Sequence, residues 1–196
     1  MLTGWRVNYA AILAWAKHSG VRDLKAYLAE QLPDEWCRIY YQKFPGSEIV
    51  EVLQGAYHYL FDLRGERVVA AYGISGERPG GGKRQDHSRR RGWAGRSITS
   101  YYAVPVDKGH FMSDAAGGGS DINLFVQRRD LNQGRSDQGK QYTKLEKFCQ
   151  TNPGTFCFSR GLYVGSEQNP SGLEFGILRD PRQFRLDFEV FDNSFG

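Results

Sequence analysis

At 196 residues the chain can bury one good core, or one core with an appended subdomain. A hydrophobic fraction of 40% and an aromatic fraction of 14% exclude a disordered chain and describe a globular one. The net charge of +4 suits a polyanionic partner, although charge alone does not exclude a basic protein with no such partner.

The apolar run over residues 9–16 is far too short to span a membrane. Arg6 and Lys17 flank it, but no small-residue cleavage site follows, so no signal peptide is expected. If the protein reaches another cell, something other than an ordinary signal sequence must take it there. Ile12, Leu13 and Ala16 mark one face of a first helix that Gly20 stops. Leu24, Tyr27 and Leu28 predict a second helix over 22–31. Pro33-Asp34 then reads as a fresh start, with Trp36, Ile39 and Tyr40 as the stripe of a third. Near Ala56 the period changes, and the runs 57–61 and 67–72 flank a turn at 62–66, which predicts a β-hairpin. His58 alternates with aromatics there and reads as structural.

Residues 76–96 differ in composition. Arg78, Lys83, Arg84, Arg89, Arg90, Arg91 and Arg96 stand among glycines, opposed only by Glu77 and Asp86, and such a stretch cannot pack a core. It reads as a basic flexible loop or linker. Strand character resumes over 97–106, a helix is marked by Tyr142, Leu145 and Cys149, and three more strands follow at 155–164, 173–178 and 184–191. The organisation expected is a helical N-terminal region ending in a hairpin (1–75), the basic linker (76–96) and a core at 97–196. Of the three cysteines, none forms a Cys-x-x-Cys pair, so a zinc ribbon is not expected. Cys149 and Cys157 read equally well as a short-loop disulfide and as buried thiols.

The densest chemistry lies in 107–146. It runs Asp107-Lys108-Gly109-His110, a glycine-rich connection at Gly117-Gly118-Gly119, Asn123-Leu124-Phe125-Val126-Gln127, Leu131-Asn132-Gln133-Gly134, and Leu145-Glu146. The triple glycine lacks the Gly-Lys-Ser/Thr ending of a phosphate loop and reads as a flexible link between two strands. Alone, His110 is a strand-end histidine, Asn132 a turn residue and Glu146 a solvated helix glutamate. In this order and spacing the blocks resemble the DNA/RNA non-specific endonucleases, which belong to the ββα-metal (His-Me finger) nucleases.

The resemblance implies an α+β fold in which an antiparallel sheet carries the ββα-metal motif and a helical N-terminal part packs on it. It implies that His110 is the general base activating water, that Asn132 binds a single Mg²⁺ (Mn²⁺ substituting), and that Asn123 supports His110 or the metal-side loop. Glu146 would contact metal-bound water. Lys108 stands where the family has arginine; it keeps the charge but loses the bidentate fork for phosphate. Residues 135–140 form an insertion before the helix. The family's further arginine matches either Arg96 or Arg160, and Arg89, Arg90, Arg91 and Arg96 are candidate phosphate contacts. The implied activity is Mg²⁺-dependent hydrolysis of phosphodiester bonds in DNA, and in RNA, by an antibacterial toxin effector whose partner would be an immunity protein. The competing reading is a non-catalytic nucleic-acid-binding module on a decayed nuclease fold. A zinc nuclease of the His-Asn-His type lacks its further histidine, since none follows His110.

Overall fold

The computed structural model describes residues 4–78 and 102–195. Helix α1 (Tyr9–His18) begins at Asn8, whose side chain accepts from Ala11 N at 3.1 Å, and α2 (Leu24–Lys43) begins at Asp23, which accepts from Ala26 N at 3.1 Å. The sequence predicts a break at Pro33, yet α2 runs through it as one helix of 20 residues. Leu24, Leu28, Leu32, Trp36, Ile39 and Tyr40 form one continuous buried stripe across the proline. Each large side chain buried there contributes about 1.5–3 kcal/mol, and together they outweigh the roughly 3 kcal/mol cost of an interior proline.

Strands β1 (Ile49–Gln54), β2 (Tyr57–Asp62) and β3 (Arg67–Ile74) form a meander, in which β2 and β3 are the hairpin expected from sequence. β1 was not signalled, because it is an edge strand with Val52 and Leu53 exposed and no clean alternation. β4 (Val106–His110) and β5 (Leu124–Arg128) make a separate two-stranded hairpin, followed by a single helical turn, α3 (Arg129–Asn132), and by α4 (Asp137–Thr151). Regular pairing starts at Val106; the earlier part of the expected 97–106 strand, up to residue 101, lies outside the described residues, as do Arg89, Arg90, Arg91 and Arg96. β6 (Phe156–Leu162), β7 (Gly172–Asp180) and β8 (Arg185–Asp192) complete a six-stranded antiparallel sheet in the order β1-β2-β3-β6-β7-β8. Strands from before and after the basic stretch therefore share one sheet.

That sheet has two covered faces. On one, α1, α2 and the segment before α1 pack Trp5, Tyr9, Leu28, Leu32, Trp36 and Tyr40 against Leu60, Ala70, Phe156 and Phe158. On the other, Phe111, Phe125, Leu131, Tyr142 and Leu145 of the hairpin, α3 and α4 pack against Tyr59, Ala71, Phe175, Ile177 and Phe191. The molecule is thus an α+β arrangement of three layers, with the 107–146 block forming the third. β6 alternates between them. Arg160 falls on the α1/α2 side, only 1% exposed, where it pairs with Glu174 and reaches the Trp5 carbonyl. It has no access to the hairpin face, which removes it as a candidate for the family's arginine. The three cysteines are free thiols, with Cys149 and Cys157 buried in the hairpin-side layer.

Candidate active site

The hairpin register pairs Asp107 with Gln127, Gly109 with Phe125 and His110 with Leu124. Gly109 is required by a close approach. A Cβ there would lie 2.2 Å from Gln127 Oε1 and 2.6 Å from Gln127 Cβ, because the fully buried Gln127 side chain lies across the strand. Side chains alternate along β4, so Lys108 and His110 share one face and Asp107 and Gly109 the other.

The connection between the strands is packed, not the loose link its glycines suggest. Two short 3₁₀ turns (Asp114–Ala116 and Asp121–Asn123) shape it, and a Cβ on Gly118 would stand 1.9 Å from the Met112 carbonyl oxygen. Asn123, fully buried, clamps it. Its Oδ1 accepts from Met112 N at 2.8 Å, and its Nδ2 donates to the carbonyls of Met112 and Gly119, each at 2.8 Å. The whole amide is thereby engaged with loop backbone immediately after His110.

Asp107 ties β4 to the segment that carries Asn132. Its Oδ2 accepts from Asn132 Nδ2 at 3.1 Å and from Gln133 Nε2 at 2.7 Å, while its Oδ1 pairs with Arg129 Nε at 2.9 Å. Burial alone would push this carboxyl up; the bonds from Asn132, Arg129 and Gln133 outweigh it and hold the group below the ordinary carboxylate range. A carboxylate only accepts, so the Asn132 amide has its nitrogen toward Asp107 and its oxygen directed elsewhere. The signal was present in the sequence, since Asp107 heads the block that ends in His110, but its contact spans 25 positions.

α4 fixes the other side. Ser136 caps it by accepting from Gly139 N at 3.0 Å, so residues of the 135–140 insertion build its first turn. The buried Tyr142 hydroxyl donates to the His110 carbonyl at 3.3 Å. One turn further along stands Glu146, half-buried, its carboxyl pushed up to about 8 by desolvation. His110, Asn132 and Glu146 are therefore each anchored to this ββα unit: His110 ends β4, Asn132 is tied to β4 through Asp107, and Glu146 follows the tyrosine that holds the His110 backbone.

Among the described residues no three His, Cys, Asp or Glu side chains converge as a metal cluster. The donor the unit does offer is one neutral amide oxygen beside half-buried polar groups. Such a set fits Mg²⁺, which takes oxygen ligands and keeps several waters, better than it fits a thiolate- or imidazole-seeking ion.

The chain is similar in structure to NucA from Streptococcus agalactiae, whose crystal structure has a magnesium ion bound. The two are 11% identical, the likeness covers 82% of this chain and 89% of NucA, and the TM-score is 0.53. It is also similar to the Sda1 nuclease with bound zinc ion, at 17% identity, 78% and 86% coverage, and a TM-score of 0.53. At these identities what is shared is the fold, a fold that these two nucleases also have. No protein-family model and no curated protein matches the sequence. Among the described residues no helix is long and apolar enough to cross a membrane.

Proposed function

We propose that this chain is a metal-dependent endonuclease that hydrolyses phosphodiester bonds in DNA, and in RNA, without sequence preference. The observation that carries the reading is the Asp107–Asn132 hydrogen bond, because it fastens an oriented amide oxygen to the strand that ends in His110. The fold shared with two nucleases, one bound to magnesium and one to zinc, supports it.

Each residue then has a task. The His110 imidazole accepts the proton of the attacking water, the task to which histidine is generally suited. Tyr142 donates to the His110 carbonyl and Asn123 accepts from Met112 N two residues on, so the backbone leading out of His110 is fixed. Asn132 would hold Mg²⁺, with Mn²⁺ able to replace it, and Glu146 would accept hydrogen bonds from its hydrating waters. When bound, the ion supplies positive charge to the crowded phosphate and the departing 3′ oxygen. Lys108, on the His110 face of β4, adds a point charge toward the scissile phosphate. Within this reading residues 97–196 are the catalytic core, and Arg89, Arg90, Arg91 and Arg96 of the basic stretch grip the backbone.

Plasmid cleavage with Mg²⁺ and with EDTA tests the proposal. The expected result is cleavage with Mg²⁺, none with EDTA, and at least a 10²-fold loss in His110→Ala, about the lower bound for a general base. Full activity of His110→Ala would refute it, and a mobility shift without cleavage would favour the non-catalytic binding module. The role of antibacterial effector, kept in check by an immunity protein, rests on the sequence resemblance. It requires that the wild-type chain kill when expressed in a bacterial cytoplasm and that His110→Ala not do so.

A further inference from the structure

The outward face of α4 carries a pattern that the cleavage chemistry does not use. Lys140, Lys144 and Lys147 are all exposed and follow one another at i, i+4 and i+7. At about 100° per residue they fall within an arc of roughly 60°. Tyr142, Leu145 and Cys149 are the buried side of the same helix. Between the two sides lies Thr143, whose Oγ1 would be 3.0 Å from a Cβ on Gly134, so this flank of α4 abuts the turn directly after Asn132. Lys147 is only about 40° around the helix from Thr143. The lysine ridge therefore borders the flank on which Asn132 sits.

A face that served only solubility would interleave acids. α2 does so, with Glu35 and Arg38 joined at 2.6 Å. On α4 the like charges stand at i,i+4 (Lys140 and Lys144) and i,i+3 (Lys144 and Lys147), spacings at which like charges disfavour a helix. Lys140 is offset by Asp137 at 2.9 Å, but Lys144 and Lys147 make no ion pair among the described residues. The ridge measures about 10 Å along the axis at 1.5 Å per residue. One strand of a duplex presents a phosphate about every 3.4 Å of helix axis, so three charges match about three phosphates.

We infer that Lys140, Lys144 and Lys147 form a sequence-independent phosphate-binding ridge that holds nucleic-acid backbone beyond the point of cleavage. This rests on the nuclease reading and extends its substrate footprint along α4. It predicts that long polyanions are held more tightly, and more salt-sensitively, than the cleavage cleft alone would allow.

The test compares three chains on long duplex DNA between 50 and 200 mM salt, conditions over which counterion release is readily measured. They are the wild type, the combined variant Lys140→Gln, Lys144→Gln and Lys147→Gln, and a control with Arg6→Gln, Lys17→Gln and Arg22→Gln. The control removes the same charge from exposed positions on or beside the α1/α2 layer. In the ridge variant the slope of log kcat/KM against log salt becomes shallower by about two to three, at about 0.9 per lost phosphate contact. The control keeps the wild-type slope, and replacing the three lysines by arginine restores it. Equal slopes in the ridge variant and the wild type overturn the inference, as does an equal change in the control. Equilibrium binding in EDTA, read by fluorescence anisotropy over the same salt range, repeats the comparison without cleavage. A wild type that binds through the ridge but never cuts would sink the nuclease reading and leave the ridge standing.

Discussion

A single acceptor decides which way the Asn132 amide faces. Asp107 takes hydrogen bonds from Asn132, Gln133 and Arg129, and only its anionic form can take all three without offering a proton back. Asp107→Asn keeps the size but makes one end a donor, so the Asn132 amide is free to turn over and Arg129 loses its counter-charge. The Mg²⁺ concentration for half-maximal cleavage is expected to rise about 10- to 100-fold, the usual effect of removing a residue that orients a metal ligand. Turnover at saturating Mg²⁺ should recover in part, which a general loss of folding would not permit. An unchanged Mg²⁺ titration would remove Asp107 from any such role. His110 and Asn132 could be picked out beforehand because their neighbours form recognisable blocks. Arg160 could not be separated from Arg96, because burial on the far side of a sheet leaves no local mark on an arginine. Asn123 reads as a support for His110 or for the metal-side loop, and the partners it has are the Met112 and Gly119 backbone, which no spacing rule identifies.

At the level of elements, the readable parts were those with a strong period and a defined end. Strands β2, β3, β6 and β7 are runs of buried residues between turns, β8 alternates, and α4 repeats at helical spacing. β1 and the continuity of α2 were not readable, for opposite reasons. β1 has too little burial to impose alternation, while α2 has so much that its stripe overrides a proline. That override has a measurable size. Pro33 cannot donate to the Ala29 carbonyl, and alanine at this half-buried position would restore the bond without adding volume. An interior proline costs about 3 kcal/mol relative to alanine, and part of the gain is offset because proline also stiffens the unfolded chain. Pro33→Ala is therefore expected to stabilise the protein by about 1–2 kcal/mol, read as a higher urea midpoint at unchanged m-value. A lower midpoint would mean that the pyrrolidine ring packs in a way alanine cannot replace.

Across the whole molecule, two kinds of carboxyl set the dependence of stability on pH. Burial works against Asp62, Asp107 and Asp187, but the hydrogen bonds they accept hold them below the ordinary range. What they contribute is present above the unfolded value of about 3.9 and is lost as pH falls. Glu146 acts in the other direction. Its folded carboxyl is pushed up to about 8 by burial, so between the unfolded value of about 4.3 and that point the folded state binds the extra proton. Stability must then decrease as pH rises from about 5 to 8, a window in which the aspartates are already ionised in both states. With EDTA present, the wild-type urea midpoint is expected to fall over that range. Glu146→Gln should flatten part of the fall, matching the wild type near pH 5 and exceeding it at pH 8; the rest belongs to Glu174, whose carboxyl burial also raises. A variant that falls as steeply as the wild type would show that some other group binds the proton. Adding Mg²⁺ sharpens the argument. A cation whose waters hydrogen-bond to this carboxylate favours the charged form, so the ion should shrink the wild-type fall and leave the glutamine variant's profile unchanged. A single pair of titrations thus links the protonation of one half-buried glutamate to binding of the ion.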